Sequence, residues 1–274
     1  MMLSGRLVVP GLMALAAAWL ATGLAGAQVI IPKTPLKVLY MTHCAGFVHS
    51  SVKVSKEILP DLGRRTKSFE VDVTEDCSLI NAENLKNYQA LIFYTSGDLP
   101  VSDEGKQAMM DWIKAGHGFV GIHSATDTWY NWAEYGEMLG GYFDGHPWTQ
   151  EVRINLEDPK HWACHLIPNP WVVNDEIYQQ RNWSRDKVHV LMSLDNSSID
   201  VNRSKQEVKD FPMAWCKMHG KGRVFYTGLG HRDELWRDWQ FQRHLANGIR
   251  WVLGLVPGDA TPSAQLAGER RGGG

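Results

Sequence analysis

The sequence predicts a single α/β domain built on a mainly parallel central sheet. Short apolar runs at residues 36–42, 90–94 and Gly118–Ile122 have the length and continuity of strands covered on both faces. Segments with helical spacing separate them. Histidines follow directly behind several of these runs, where ligands bind in open parallel sheets.

Taken in order, residues 36–42 form the first strand, residues 51–65 carry helical spacing and Phe69–Thr74 is rich in β-formers, giving β, α, β. The strand at 90–94 leads through a turn at 97–100 to a helix opened by Ser102. Asp103 and Glu104 sit in its first turn, and Gly116 closes it. Gly118–Ile122 then runs straight into His123-Ser124-Ala125-Thr126-Asp127. The later half is less regular: residues 150–156 alternate like a half-exposed strand, and His189–Leu194 and 213–216 add two more. Residues 223–227 follow the tight turn His219-Gly220-Lys221-Gly222. A final helix over 239–253 places Phe241, Leu245, Ile249 and Val252 on one core-facing side. No internal repeat or linker interrupts residues 28–256.

The ends read differently. A short start with Arg6 as its only charge, an apolar run over 7–24 and small residues up to Ala27 form a signal-peptide pattern, with cleavage expected after Ala27. The product is expected in the periplasm or secreted, with no stable membrane insertion. After Pro257 the chain turns rich in Pro, Ala and Gly, and residues 257–274 are expected to be disordered. The four cysteines, Cys44, Cys77, Cys164 and Cys216, form no CxxC pair. Export permits a disulfide between Cys44 and Cys77, which follow the first two strands; free buried thiols are the alternative. A net formal charge of −2 with mixed signs argues against a nucleic-acid partner and for a small or neutral substrate.

The candidate chemistry gathers at strand ends. His43 and His49 follow the first strand, His123 follows Gly118–Ile122, and His231 ends Gly228-Leu229-Gly230-His231; His146 lies on a loop between turn residues. Imidazole is a frequent ligand for zinc-like ions and the usual acid or base near neutral pH. His117, His161, His165, His189, His219 and His244 lack such placement and read as structural. Gly121-Ile122-His123-Ser124-Ala125 has the form of a strand-to-helix elbow with histidine at its apex, so a serine nucleophile stands one place out of position. Asp127, Glu176 and Asp233 are the nearby carboxylates; Asp127 reads equally as a helix cap and Asp233 as a solvated charge. Of the 12 tryptophans, Trp129, Trp132, Trp148, Trp215 and Trp236 lie in or beside these loops, where indole faces suit sugar C–H surfaces.

The stretches Gly118-Phe-Val-Gly-Ile-His-Ser-Ala-Thr-Asp127, Gly140-Gly-Tyr-Phe-Asp-Gly-His-Pro-Trp148, Asp175-Glu-Ile-Tyr178 and Gly222-Arg-Val-Phe-Tyr-Thr-Gly-Leu-Gly-His231 resemble the ThuA-like (trehalose utilisation) family. The resemblance implies a flavodoxin-like three-layer sandwich similar to class I glutamine amidotransferases. His123 then stands where amidotransferases keep their cysteine, so the thioester route to amide hydrolysis is closed. It also implies a small carbohydrate substrate, including disaccharides oxidised at C3. On that reading His123, Asp127 and Glu176 are the catalytic candidates, and His49, His123 and His231 ligate a divalent metal such as zinc, with His43 and His146 in reserve. Trp148, Tyr178, Arg181, Trp215 and Arg232 are the substrate-binding candidates, and a homo-oligomer is compatible with the sequence. The expected activity is elimination or hydrolysis of glycosides; a non-catalytic sugar-binding domain is the alternative.

Overall fold

The computed structural model describes residues 29–266; the expected signal segment at 1–27 lies outside them. Its first half carries the predicted alternation, with the unpredicted α2 and α4 added to it: β1 (Leu36–Met41), α1 (Ser51–Thr66), β2 (Phe69–Thr74), α2 (Ala82–Leu85), β3 (Ala90–Phe93), α3 (Asp103–Lys114), β4 (Gly118–Ile122) and α4 (Ala133–Leu139). Ser102 caps α3 by accepting the Gly105 N–H, as its sequence signature requires. Then come β5 (Tyr142–Phe143), β6 (Trp148–Leu156), β7 (Trp171–Ile177), β8 (Gln180–Arg181), β9 (His189–Leu194), β10 (Pro212–His219) and β11 (Gly222–Thr227). The helices α5 (Asp233–Arg237) and α6 (Trp239–Val252) close the fold.

Nine strands form one sheet in the order β2-β1-β3-β4-β11-β10-β9-β6-β7, while β5 and β8 make a separate ribbon. The first five run parallel. The next four are antiparallel to their neighbours, so the mainly parallel sheet carries a mixed extension. Alternation along each strand divides the core into two layers. Val38, Tyr40, Ile92, Val120 and Ile122 face Val52, Leu59 and Leu62 of α1 and Phe241, Leu245 and Ile249 of α6. Leu39, Met41, Leu91, Phe93 and Phe119 face Met109, Met110 and Ile113 of α3 and Tyr135, Met138 and Leu139 of α4. This is the predicted three-layer sandwich. Full burial of each such side chain contributes about 1.5–3 kcal/mol, so the central strands are a rigid base for the loops at their carboxyl ends.

The sequence pattern predicts no strand at β7. Exposed Val172 and Asn174, followed by two acids, break the apolar signal there. β7 lies at the sheet edge and pairs along its length with β6.

The disordered tail expected from residue 257 is corrected for 257–266. Thr261 O accepts from His189 Nδ1 at 2.7 Å, Ser263 Oγ accepts the Val190 N–H at 2.9 Å, and Ala264 N–H donates to Arg185 O at 3.0 Å. Polar clamps, rather than apolar burial, hold this segment, which is why composition missed it. All four cysteines are free. Among the described residues no helix is long and apolar enough to cross a membrane.

Candidate metal centre

Three strand ends and one edge strand build the site. The loop after β1 is pinned by Ala45 and Gly46 N–H groups donating to Ser96 O at 2.8 and 3.1 Å, and by Ser96 Oγ donating to Phe47 O at 2.7 Å. Gly97 has φ 74°, and a Cβ there would meet Gly46 N at 2.5 Å, so glycine is required for this close approach. The loop delivers buried His49 at the start of α1.

His123 follows β4 directly and has φ 45°, a left-handed turn that a non-glycine residue adopts only where the surroundings impose it. The predicted elbow is therefore present, although a short 3-10 turn follows it. His123 Nδ1 lies 2.7 Å from Gly228 O and donates to it, which turns Nε2 toward the Glu176 carboxylate. His231, after β11, is set by a backbone clamp. Buried Asp175 of β7 accepts the N–H groups of Gly230, His231 and Arg232 at 2.7, 3.3 and 3.0 Å. Gly230 O in turn accepts from Ser51 Oγ, Tyr94 OH and Trp236 Nε1 at 2.9, 3.0 and 2.8 Å.

Glu176, the next residue on β7, turns its carboxylate into the cluster. Its Oε2 lies 3.5 Å from His123 Nε2 and 3.1 Å from His231 Nδ1; its Oε1 lies 3.2 Å from His146 Nδ1. One donor atom each from His49, His123, Glu176 and His231 falls within 4.8 Å of all the others. His49 Nδ1, His123 Nε2 and His231 Nδ1 are buried and unpartnered among the described residues. Three solvent-shielded nitrogens gathered around a carboxylate, with no aligned hydrogen bond to any of them, match the donor chemistry of a divalent ion such as zinc.

The electrostatics of His49 and Glu176 suit that chemistry. Burial, then His123 and His231, push His49 down to about 3, so it is neutral near pH 7 with a lone pair available. Burial alone raises Glu176, but the facing imidazoles of His123 and His231, in reach of its carboxylate without aligned hydrogen bonds, outweigh it and hold the carboxyl below its usual range. Glu176 raises His231 against the opposing effect of burial. Tyr178 is pushed up by burial, then by Glu176, and stays a neutral phenol; its OH lies 3.4 Å from His49 Nε2 and its ring 4.0 Å from that of His123.

The remaining candidates divide. His146 reaches the cluster through Glu176 and is half exposed, whereas His43 turns to Glu75 O at 3.1 Å and stands apart. Asp127 caps no helix: α4 is preceded by Trp132, and the Asp127 carboxylate accepts the Tyr130 OH at 2.5 Å. Burial raises Asp127, and Tyr130 and His123 oppose that rise. Asp233 accepts from Ser50 Oγ at 3.2 Å. Arg181 lies over the Tyr130 ring at 4.9 Å, and Arg232 joins the site through its backbone N–H on Asp175.

The two tryptophans are corrections. Trp148 and Trp215 are fully buried, with indole N–H groups donating to Asp200 O at 2.9 Å and Leu139 O at 2.8 Å. Neither ring face is open to a sugar.

Sequence reasoning missed Asp175 as an organiser and Phe47 as a rim residue. The Asp175-Glu176 pair did hold a signal for the first. Adjacent strand residues point to opposite sides, so one acid could serve the loop while the other faced the cluster. Phe47 is 65% exposed with its ring 4.8 Å from His49.

The ThuA family profile, described as trehalose utilisation, matches residues 37–252. Among solved structures, a ThuA-like protein from Bacteroides uniformis is 28% identical with a TM-score of 0.67, over 83% of this chain and 95% of that one. A second, from Parabacteroides merdae, is 20% identical with a TM-score of 0.65, over 82% and 93% of the two chains. The fold alone extends to a β-galactosidase from Rahnella sp. R3, 15% identical with a TM-score of 0.50, where 84% of this chain matches 32% of that one. No curated protein matches the chain. The flavodoxin-like, glutamine amidotransferase-like fold implied by the resemblance holds, and the chain belongs to the carbohydrate-related ThuA (trehalose utilisation) family.

Proposed function

We propose that this chain is an exported, metal-dependent enzyme that cleaves glycosides, including those oxidised to a ketone at C3, by elimination followed by hydration. The observation that carries the reading is the convergence of one donor atom each from His49, His123, Glu176 and His231 within 4.8 Å, with a buried nitrogen on each of the three imidazoles lacking an aligned hydrogen bond. These four residues would hold the cation. When bound, it supplies Lewis-acid polarisation of a substrate oxygen.

The chain's own groups supply the rest. A C3 ketone acidifies the C2 proton, and His146 is the base we assign to it. Its Nδ1 faces Glu176 Oε1 at 3.2 Å, which leaves Nε2 for the incoming proton, and its exposure gives a substrate access. Proton removal at C2 forms the C1=C2 bond as the C1–O bond breaks, and the departing alkoxide is protonated to an alcohol. Water then adds across C1=C2 to complete net cleavage. Asp127, paired with Tyr130 below Arg181, gives a polar edge for sugar hydroxyls. Phe47, exposed on a pinned loop, offers the apolar ring face that Trp148 and Trp215 do not.

The alternative, a non-catalytic sugar-binding domain, loses the same two indole platforms as the enzyme reading does, and it leaves the converging imidazoles without a role. The test is metal analysis of the purified chain together with a turnover assay on a 3-keto-disaccharide. Co-purifying metal and turnover lost on chelation are expected; turnover by a His123→Ala variant at the wild-type rate overturns the assignment.

A further inference from the structure

A cavity adjoins this centre. Its volume is about 470 Å³, and Asp144, Gly145, His146, Gln179, Arg203, Lys205 and Gln206 are among its lining residues. His146 is the shared wall, since its Nδ1 contacts the Glu176 carboxylate of the cluster. The cavity thus begins at the residue assigned as the base, within reach of a group attached to a substrate held there.

The cavity rim is cationic and rigid. Arg203 and Lys205 are exposed on either side of buried Ser204, whose hydroxyl bonds to Gln179 Oε1. Lys209 Nζ ties the loop from below by donating to Ser204 O and Gln206 O at 2.9 and 2.5 Å. Gln206 Nε2 spans from the rim to Asp144 Oδ2 at 2.8 Å and Gln180 O at 2.9 Å. Asp144 is the one acid lining the cavity, and this amide already occupies one of its oxygens. Elsewhere, Arg153 and Arg185 are held by Asp195, Glu157 and Asp210. Arg203 and Lys205 have no ion-pair partner among the described residues, although their loop is fixed.

We propose that this cavity is a subsite for an anionic group on the substrate, a carboxylate or phosphate carried on the sugar or leaving group beyond the scissile bond. Arg203 and Lys205 bind the anion, and the free Asp144 oxygen accepts a neighbouring hydroxyl. Arg matches a planar or tetrahedral oxyanion with its fork, and Lys adds a point charge. The proposal rests on the glycoside reading of the adjoining centre for the identity of its ligand, but not on any turnover there.

The test compares binding of methyl glucoside, methyl glucuronide and glucose 6-phosphate to the purified full chain by calorimetry, at two salt concentrations. The Arg203→Gln/Lys205→Gln double variant changes only exposed side chains and serves as the control for the cations. At least one anionic sugar is expected to bind about tenfold more tightly than methyl glucoside, with the advantage reduced by salt and lost in the double variant. Whichever anionic probe gains identifies carboxylate or phosphate as the group held. Equal binding of neutral and anionic sugars, no binding of any, or a preference surviving in the double variant overturns the subsite. If the preference is present but a 3-keto-disaccharide is never turned over, the catalytic reading fails while the subsite stands.

Discussion

The carboxylate of Asp175 and the backbone of Gly230 are locked together: Oδ2 accepts the Gly230 N–H at 2.7 Å, deep in the core. The same carboxylate takes the N–H groups of His231 and Arg232, so one buried acid fixes the backbone from which a cluster imidazole projects. Asp175 touches none of the proposed chemistry, yet its neighbour Glu176 does.

Replacing Asp175 by Asn puts an amide N–H where one oxygen now accepts backbone donors. The variant should lose about 1–3 kcal/mol of stability by urea unfolding, because a buried donor goes unsatisfied. Zinc affinity should fall about 10- to 100-fold, the range for losing a group that orients a ligand. Unchanged metal affinity in a destabilised variant would limit Asp175 to a folding role.

For the cluster itself, the wild type should purify with a zinc-like ion, and His49→Ala, His123→Ala and His231→Ala should each purify without metal. A ligand present at 100 times its Kd stabilises by about 2.7 kcal/mol, which in a domain of this size is roughly 5–10 °C in Tm. Chelation should lower the wild-type Tm by that amount and leave the three variants unmoved. Thermal scanning with and without chelator, alongside elemental analysis, reads both.

His146 separates chemistry from metal binding. Because it reaches the cluster only through Glu176, His146→Gln should keep the metal while turnover of a 3-keto-disaccharide falls about 10²- to 10⁴-fold, the usual contribution of a general base. Loss of metal in this variant would make His146 a ligand instead.

The strand-end histidines were legible in the sequence because β1, β4 and β11 are apolar runs with a clear end, and geometry sends whatever follows them to one rim. What periodicity could not do was choose between His43 and His49. Both leave the same strand, and only the pinned loop turns one inward and the other to Glu75. β7 was hidden for a different reason: an edge strand with exposed Val172 and Asn174 lacks the apolar continuity that betrays a central one. Trp148 and Trp215 misled because residue type reports the size and polarity of a ring, whereas burial depends on partners such as Asp200 O and Leu139 O far along the chain.

The exchange of aromatic roles can be measured. Phe47→Ala removes an exposed ring and should leave stability within about 0.5 kcal/mol while raising the KM for a sugar substrate roughly 2- to 10-fold. Trp148→Phe should do the reverse, costing about 1–3 kcal/mol through the lost indole hydrogen bond and packing, with KM unchanged. Equal KM values for Phe47→Ala and the wild type would remove the ring from the substrate path.

Acid stability depends on a buried imidazole away from the cluster. His244 of α6 is fully buried, with Nδ1 2.9 Å from Ala163 O and Nε2 unpartnered among the described residues. Burial pushes it down to about 4 against the small opposing effect of that backbone bond. In the unfolded chain the same imidazole takes up a proton near pH 6.5. Between those values the unfolded state binds more protons, so stability is full above about 6.5 and falls as pH drops toward 4. One such group costs roughly 2 kcal/mol between pH 7 and pH 5, at about 1.4 kcal/mol per unit below 6.5. A His244→Phe variant should show a pH 7 to pH 5 loss smaller by that amount in urea unfolding. An identical loss in both proteins would mean that His244 is already protonated when folded, against its apolar surroundings of Trp171 and Phe225.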